Sequence, residues 1–172
     1  MTNSLSPKKS LLTPRAITIE EHENYVIARY DCVIIIAIRT TITADAIKHS
    51  LMASQKIIAD RGRVVSLMIV GPNWKMPATD VINSANDAAS VSPEQHVCVA
   101  NVILGTGFVA STIRSMLTMI ETVYARNKRK QETVRDLAGG ASWITQNLNE
   151  GEDYRRRLIE AAKPFVEFVQ QS

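Results

Sequence analysis

Gly105-Thr106-Gly107-Phe108-Val109-Ala110 follows an apolar run and fits the G-x-G-x-x-A spacing by which a glycine turn presents backbone N–H groups to a dinucleotide pyrophosphate. Such fingerprints open the first βα unit and are answered by an acidic residue about 20 positions further on. Here the turn follows the fourth strand of the pattern, Asp136 lies too far along, and Glu121 sits inside the next helical stretch. A close-packed strand-to-helix junction is the better reading, its glycines serving positive φ or close backbone approach. A ligand reading survives beside it. Gly105, Thr106, Gly107 and Phe108, together with Trp74, are the candidate anion or ligand contacts.

The other chemically capable residues are scattered. His22, His49 and His96 have no partner at i, i+4 and no cysteine pair, so strand-end or surface roles are expected and no metal site is implied. Asp31, Asp60 and Asp136 fall at element ends, where carboxylates serve turns and caps. Cys32 and Cys98 stand in separate apolar runs and read as buried, reduced thiols. No Ser-His-Asp, Cys-His or paired-carboxylate arrangement can be assembled, and no cofactor is implied.

These residues hang on a regular alternation of elements. Tyr25 to Tyr30 and Val33 to Thr41 read as an antiparallel strand pair around Asp31-Cys32. Thr43 caps a helix with Ile47, Leu51, Ser54 and Ile58 on its apolar side, and Gly62 stops it. Val64 to Val70 is a strand, Gly71-Pro72-Asn73 a turn, Ala78 to Ser90 a short helix, and Val97 to Leu104 an interior strand. A long helix over Phe108 to Arg126, an edge strand over Glu132 to Arg135 and a helix over Ala141 to Leu148 complete the pattern. Alternation of this kind argues for a mixed or mostly parallel sheet under helices. The longest apolar run, Val33 to Ile38, is far short of the roughly 20 residues a bilayer-crossing helix needs.

Two segments carry unusual surfaces. Along the long helix Ser111, Ser115, Thr118 and Thr122 form a stripe of small hydroxyls where a solvent face would carry charges, which suits close approach of a neighbouring helix or a second subunit. The last segment, Asp153 to Val169, is amphipathic, with Tyr154, Leu158, Ala161, Phe165, Phe168 and Val169 on one side, and Pro164 should kink or divide it. Its apolar face, including Phe165 and Phe168, belongs against its own domain, a second copy or, last, an anionic membrane. Arg155, Arg156 and Arg157 near its N-terminus are unfavourable there, with only Glu152 and Asp153 to offset them.

The paired strands YVIARYDCVIIIAIRT, the helix TADAIKHSLMASQKII and the block VANVILGTGFVASTIRSMLTMIETV resemble the sulphate-transporter and anti-sigma-factor-antagonist (STAS) fold. The likeness is to a bacterial branch that is also similar to lipid-transfer (CRAL-TRIO) domains, and it spans about Glu20 to Asn149. Gly105-x-Gly107-Phe108 with Arg114-Ser115 is its most specific part. The resemblance implies a small domain that docks to partners and is switched by phosphorylation at the start of the helix after the third strand. Met76-Pro77-Ala78-Thr79-Asp80 stands there, without the Asp-Ser-Ser-Gly type of sequence, so Thr79 is the candidate phospho-acceptor. Helix N–H groups would favour a phosphate on it and Asp80 would oppose one. Capping is its other role.

The expected fold class is therefore α/β, a STAS-like mixed β-sheet with packed helices. A flexible arm covers residues 1–19, the domain 20–150, and an amphipathic helical extension 151–172. With 45% hydrophobic residues and a formal net charge of only +3, composition supports a folded core and gives nucleic-acid binding no support. The functional expectation is a cytoplasmic, non-enzymatic regulatory or scaffolding module working through a protein partner or self-association as a homo-oligomer. The alternative is a binder of a small amphipathic or anionic ligand, lipid-like or phosphate-bearing; a nucleotide-using enzyme stands third.

Overall fold

The computed structural model describes residues 15–90, 94–107, 111–112 and 130–171. Phe108, Ser115, Thr118 and Thr122, with nearly all of the expected long helix, lie outside the described residues.

Six strands form one sheet in chain order: β1 (Ile17–Glu21), β2 (Tyr25–Tyr30), β3 (Val33–Ile38), β4 (Val64–Val70), β5 (His96–Ile103) and β6 (Lys130–Val134). β1, β2 and β3 are antiparallel, and β3 to β6 run parallel. β3 is a continuous apolar run and β4 is interrupted only by Ser66, because both their faces are covered. The chain is thus α/β with a mixed sheet, as the alternation implied.

α1 (Ala44–Arg61) begins where the Thr43 side chain accepts from the Ala46 N–H at 3.1 Å and ends at Gly62, whose φ of +74° closes the helix. Its buried positions are Ala46, Ser50 and Ile57, one residue off the expected stripe. Small residues let the helix sit close to the sheet, while Ile47 and Ile58 flank the contact half-buried. α2 (Thr79–Ser90) packs beside α1.

α3 (Leu137–Leu148) starts four residues before the expected Ala141. Glycine is a poor helix former, yet Asp136 caps the helix ahead of Gly139-Gly140 by accepting from the Gly139 N–H at 2.8 Å. Gly140 is needed for close approach: a Cβ there would lie 2.7 Å from Val102 Cγ2.

α4 (Glu152–Gln170) runs through Pro164 as one helix. Pro164 and Glu160, whose carbonyl loses its N–H partner, are both exposed, so water can replace the bond. Tyr154, Leu158, Ala161, Ala162, Phe165 and Val169 are buried, which seats the helix on its own domain. α1 and α4 both lie on β3 and β4 but pair with different helices, α2 and α3, so they cover opposite faces.

β1 is an addition, since the sequence reading ran an arm to residue 19. Its register slips between Thr18 and Glu20, which breaks the alternation that marks a strand, and Ile17 and Ile19 are exposed. Among the described residues no helix is long and apolar enough to cross a membrane.

Candidate functional site

The glycine turn lies at the carboxyl end of the parallel strands. Gly105 and Gly107 have φ of +102° and +84°, which only glycine adopts readily. A Cβ on Gly105 would meet Pro72 Cβ at 3.3 Å, so this turn packs on the turn after β4. Trp74 is half-buried against Met68, Val70 and Ile103. Gly105, Thr106 and Gly107 are exposed, as is Ser111, and Thr79 is exposed at the first residue of α2. The structure therefore brings Gly105 and Trp74 to one end of the sheet.

Phe165 and Phe168 are elsewhere. Phe165 is buried in the core, and the Arg39 guanidinium stacks 4.2 Å above the Phe168 ring while its Nε donates to the Phe168 carbonyl at 3.0 Å. Both face this chain's own sheet.

A second place, at the opposite end of the strands, has the richer chemistry. A cleft of ≈ 670 Å³ opens where the start of β1, the end of β2, the β2–β3 turn, the last turn of α1 and the first turns of α4 converge. Arg15, Arg29, Arg61 and Arg157 line it with Tyr30 and Tyr154, Asp31 and Glu150 stand among them, and Ile17 gives an apolar patch.

Asp31 organises the wall. β2 and β3 pair from Tyr30 opposite Val33, leaving a two-residue turn, and Asp31 in it has φ of +52°. A side chain in this left-handed region costs about 1–2 kcal/mol relative to the ordinary helical region. In return its carbonyl accepts from Arg29 Nε at 3.0 Å, its carboxylate accepts from the Tyr154 hydroxyl at 3.3 Å, and Arg61 Nε lies 3.5 Å from its Oδ1. One strained residue thus holds three of the lining side chains.

Ion pairs hold several of the surrounding arginines in place. Arg29 pairs with Asp60 at 2.9 Å, and Arg63 pairs with Glu150 at 3.3 Å. The basic run of α4, unexplained by sequence, is answered residue by residue in the first turns: Arg155 by Glu152, Arg156 by Asp153 at 2.6 Å, and Arg157 by the same Asp153 at 3.4 Å. Arg15 makes no hydrogen bond or ion pair among the described residues, and the Tyr30 hydroxyl makes no hydrogen bond among them.

Burial raises both tyrosine hydroxyls above their ordinary value of 10.0, Tyr154 far more than Tyr30, with the nearby Asp31 charge adding to it. Both stay protonated: Tyr154 donates to Asp31, and Tyr30 is left to donate into the cleft. Cys32 lies beneath, its sulfur 3.8 Å from the Tyr154 oxygen, and burial raises its thiol too, which makes it a poor nucleophile. No histidine lines the cleft. Guanidinium cations and hydroxyl donors around an open space are suited to binding anions.

The three histidines have separate places. His49 contacts Glu20 at 2.7 Å, His22 stacks on Tyr25, and His96 contacts Ser66 at 2.9 Å. No group of three or more His, Cys, Asp or Glu suited to a metal occurs among the described residues.

Sequence reasoning missed the cleft because each element contributes one or two residues to it, separated by up to 142 positions from Arg15 to Arg157. A signal existed in the arginines placed at element ends: Arg29 before a tight turn, Arg61 in the last turn of α1 and Arg157 in the second turn of α4. No family model matches the chain, and neither does any curated protein or solved structure.

Proposed function

We propose that this chain is a non-enzymatic binding module whose cleft takes a small anionic ligand. The observation that carries the reading is the convergence of four arginines and two protonated tyrosines on one ≈ 670 Å³ space, a size typical of small-molecule sites. Planar guanidinium groups are suited to bidentate capture of phosphate or carboxylate. The proposal includes a cytoplasmic setting, which two buried free thiols support.

Titrating the ¹⁵N-labelled protein with phenyl phosphate and with benzoate tests it. Shifts should concentrate at Tyr30, Asp31, Tyr154 and Arg157. Shifts centred on Gly105 to Gly107, or none with either anion, would overturn the assignment.

A second reading, a regulatory module that docks a protein or a second copy of itself under phosphorylation of Thr79, is supported by the exposure of Thr79 at the start of α2. Intact-mass analysis of protein taken from cells should show a phosphoryl adduct that Thr79→Ala abolishes; an adduct that survives the substitution refutes it.

A further inference from the structure

The charge pairing around the cleft narrows the ligand further than "anion". Four carboxylates around the cleft have an arginine each: Asp60 has Arg29, Asp31 has Arg61, Glu150 has Arg63 and Glu152 has Arg155. Asp153 is different, because two arginines share it, Arg156 closely and Arg157 at the longer 3.4 Å. Arg15 has no such partner among the described residues. Two positive charges are therefore left over, and they fall on Arg15 and Arg157, both of which line the cleft.

The lining residues taken alone give the same balance: four arginines against Asp31 and Glu150 leave two positive charges. A ligand with two negative charges on one group fits that surplus. A carboxylate or a phosphodiester brings one charge, whereas a phosphate monoester brings about −1.5 to −2 near pH 7. Gly151 begins α4 without any side-chain cap, so the first N–H groups of the helix add to the positive potential beside Tyr154 and Arg157.

The cleft is also larger than a phosphate ion requires, and three of its lining residues, Ile17, Tyr30 and Tyr154, carry no charge. Ile17 is 69% exposed there, and the Tyr30 and Tyr154 rings stand 6.2 Å apart at a tilt of 52°. A flat or apolar organic group would cover Ile17 and lie against these rings.

We infer that the ligand is a small organic phosphate monoester, its dianionic phosphate held between Arg15 and Arg157 with the Tyr30 hydroxyl donating, and its body against Ile17 and the tyrosine rings. This rests on the anion-binding reading of the same cleft and adds the ligand's charge and shape to it.

Calorimetric titration of the full chain with four probes decides it: phenyl phosphate, inorganic phosphate, methyl phenyl phosphate and benzoate. Phenyl phosphate should bind at least tenfold more tightly than each of the other three. Its affinity should rise between pH 5 and pH 7.5, following the second ionisation of the phosphate near 6, since no histidine lines the cleft. Arg15→Gln and Arg157→Gln should each weaken phenyl phosphate binding about tenfold or more, as expected for loss of a charge-assisted contact. Lys163→Gln, an equal change of charge at an exposed position outside the cleft, should leave it unaltered. Both arginines are at the surface, and circular dichroism of the variants would show that the fold persists.

The outcomes separate the two levels of the argument. Equal binding of benzoate or the diester, without pH dependence, overturns the monoester and leaves the anion site standing. Equal binding of inorganic phosphate overturns the organic body. Absence of binding by all four probes overturns both readings.

Discussion

Gly71→Ala should be the most damaging glycine-to-alanine change in this protein. Gly71 ends the buried run of β4, its N–H donating to the Ile38 carbonyl at 2.9 Å, at the point where the last turn of α4 crosses the sheet. A Cβ there would stand 2.5 Å from the Val169 carbonyl oxygen and 3.2 Å from both the Arg39 carbonyl oxygen and Val169 Cβ. Two of these three neighbours are backbone, which no rotamer change can move. The helix end must retreat, and with it Val169, which is fully buried, and the Phe168 contacts of Arg39. Overpacking of this kind costs about 1–3 kcal/mol, and losing the burial of one valine costs about 1.5–3 kcal/mol. Ala stiffens the unfolded chain and returns about 0.4–1 kcal/mol. A net loss of about 2–5 kcal/mol is expected, to be read as a lower urea midpoint at unchanged slope by the fluorescence of Trp74 and Trp143. In a chain truncated after Phe168 the clashing carbonyl is gone, and the same substitution should cost less than about 0.5 kcal/mol. An undiminished cost in the truncated chain would refute the reasoning, because the strain would then lie within β4 itself.

Two further outcomes follow from buried and half-buried titratable groups. Burial alone would raise the Glu20 carboxyl, but the Tyr25 hydroxyl at 2.7 Å, the His49 contact at 2.7 Å and the charges of both nearby histidines hold it below its ordinary 4.5. A carboxyl lowered in the fold lends stability that is complete above its unfolded value and is lost as pH falls through the folded one. Glu20→Gln should therefore be less stable than the parent in urea titrations at pH 7, with the gap closing below about pH 4; a gap as wide at pH 3 as at pH 7 would contradict this. Cys32 and Cys98 are 2% and 0% exposed, and burial pushes both thiols up, Cys98 to about 12. A disulfide dye at pH 8 should find neither thiol in the native protein and both in guanidinium, and rapid labelling of the folded chain would show the assignment to be mistaken.

Much of the frame was legible in the sequence where local chemistry and tertiary packing agree. Thr43 and Gly62 bound α1 because capping and left-handed termination are properties of single residues. The β2–β3 hairpin follows from two apolar runs around Asp31-Cys32. The misses arise where the two disagree. Gly139-Gly140 weakens a helix locally, but only glycine lets α3 approach Val102, and the fold keeps the helix. β1 carries a bulge, and its exposed isoleucines give no inward stripe to read. The cleft was out of reach for a third reason: no two of its arginines share an element, and Asp31 matters through a carbonyl and a backbone angle that composition cannot report.

The same geometry says why a ligand would sit at the unusual end of this sheet. In open α/β sheets ligands lie outside the carboxyl ends of the strands. Here the carboxyl ends of β3 and β4 are taken: Gly71 accepts the last turn of α4, and Arg39, just after β3, binds that helix through the Phe168 carbonyl and ring. A helix of 19 residues is about 28 Å long. Anchored at one end of the strands, α4 therefore delivers its first turns to the other, where Tyr154 and Arg157 meet the residues of the β2–β3 turn. The C-terminal segment, which reads in sequence as an appendage, occupies the carboxyl ends of β3 and β4 and supplies Tyr154 and Arg157 to the cleft. Gly71→Ala and the phosphate titrations thus probe the two ends of one helix, and a folded Gly71→Ala variant should keep its affinity for phenyl phosphate even as its stability falls.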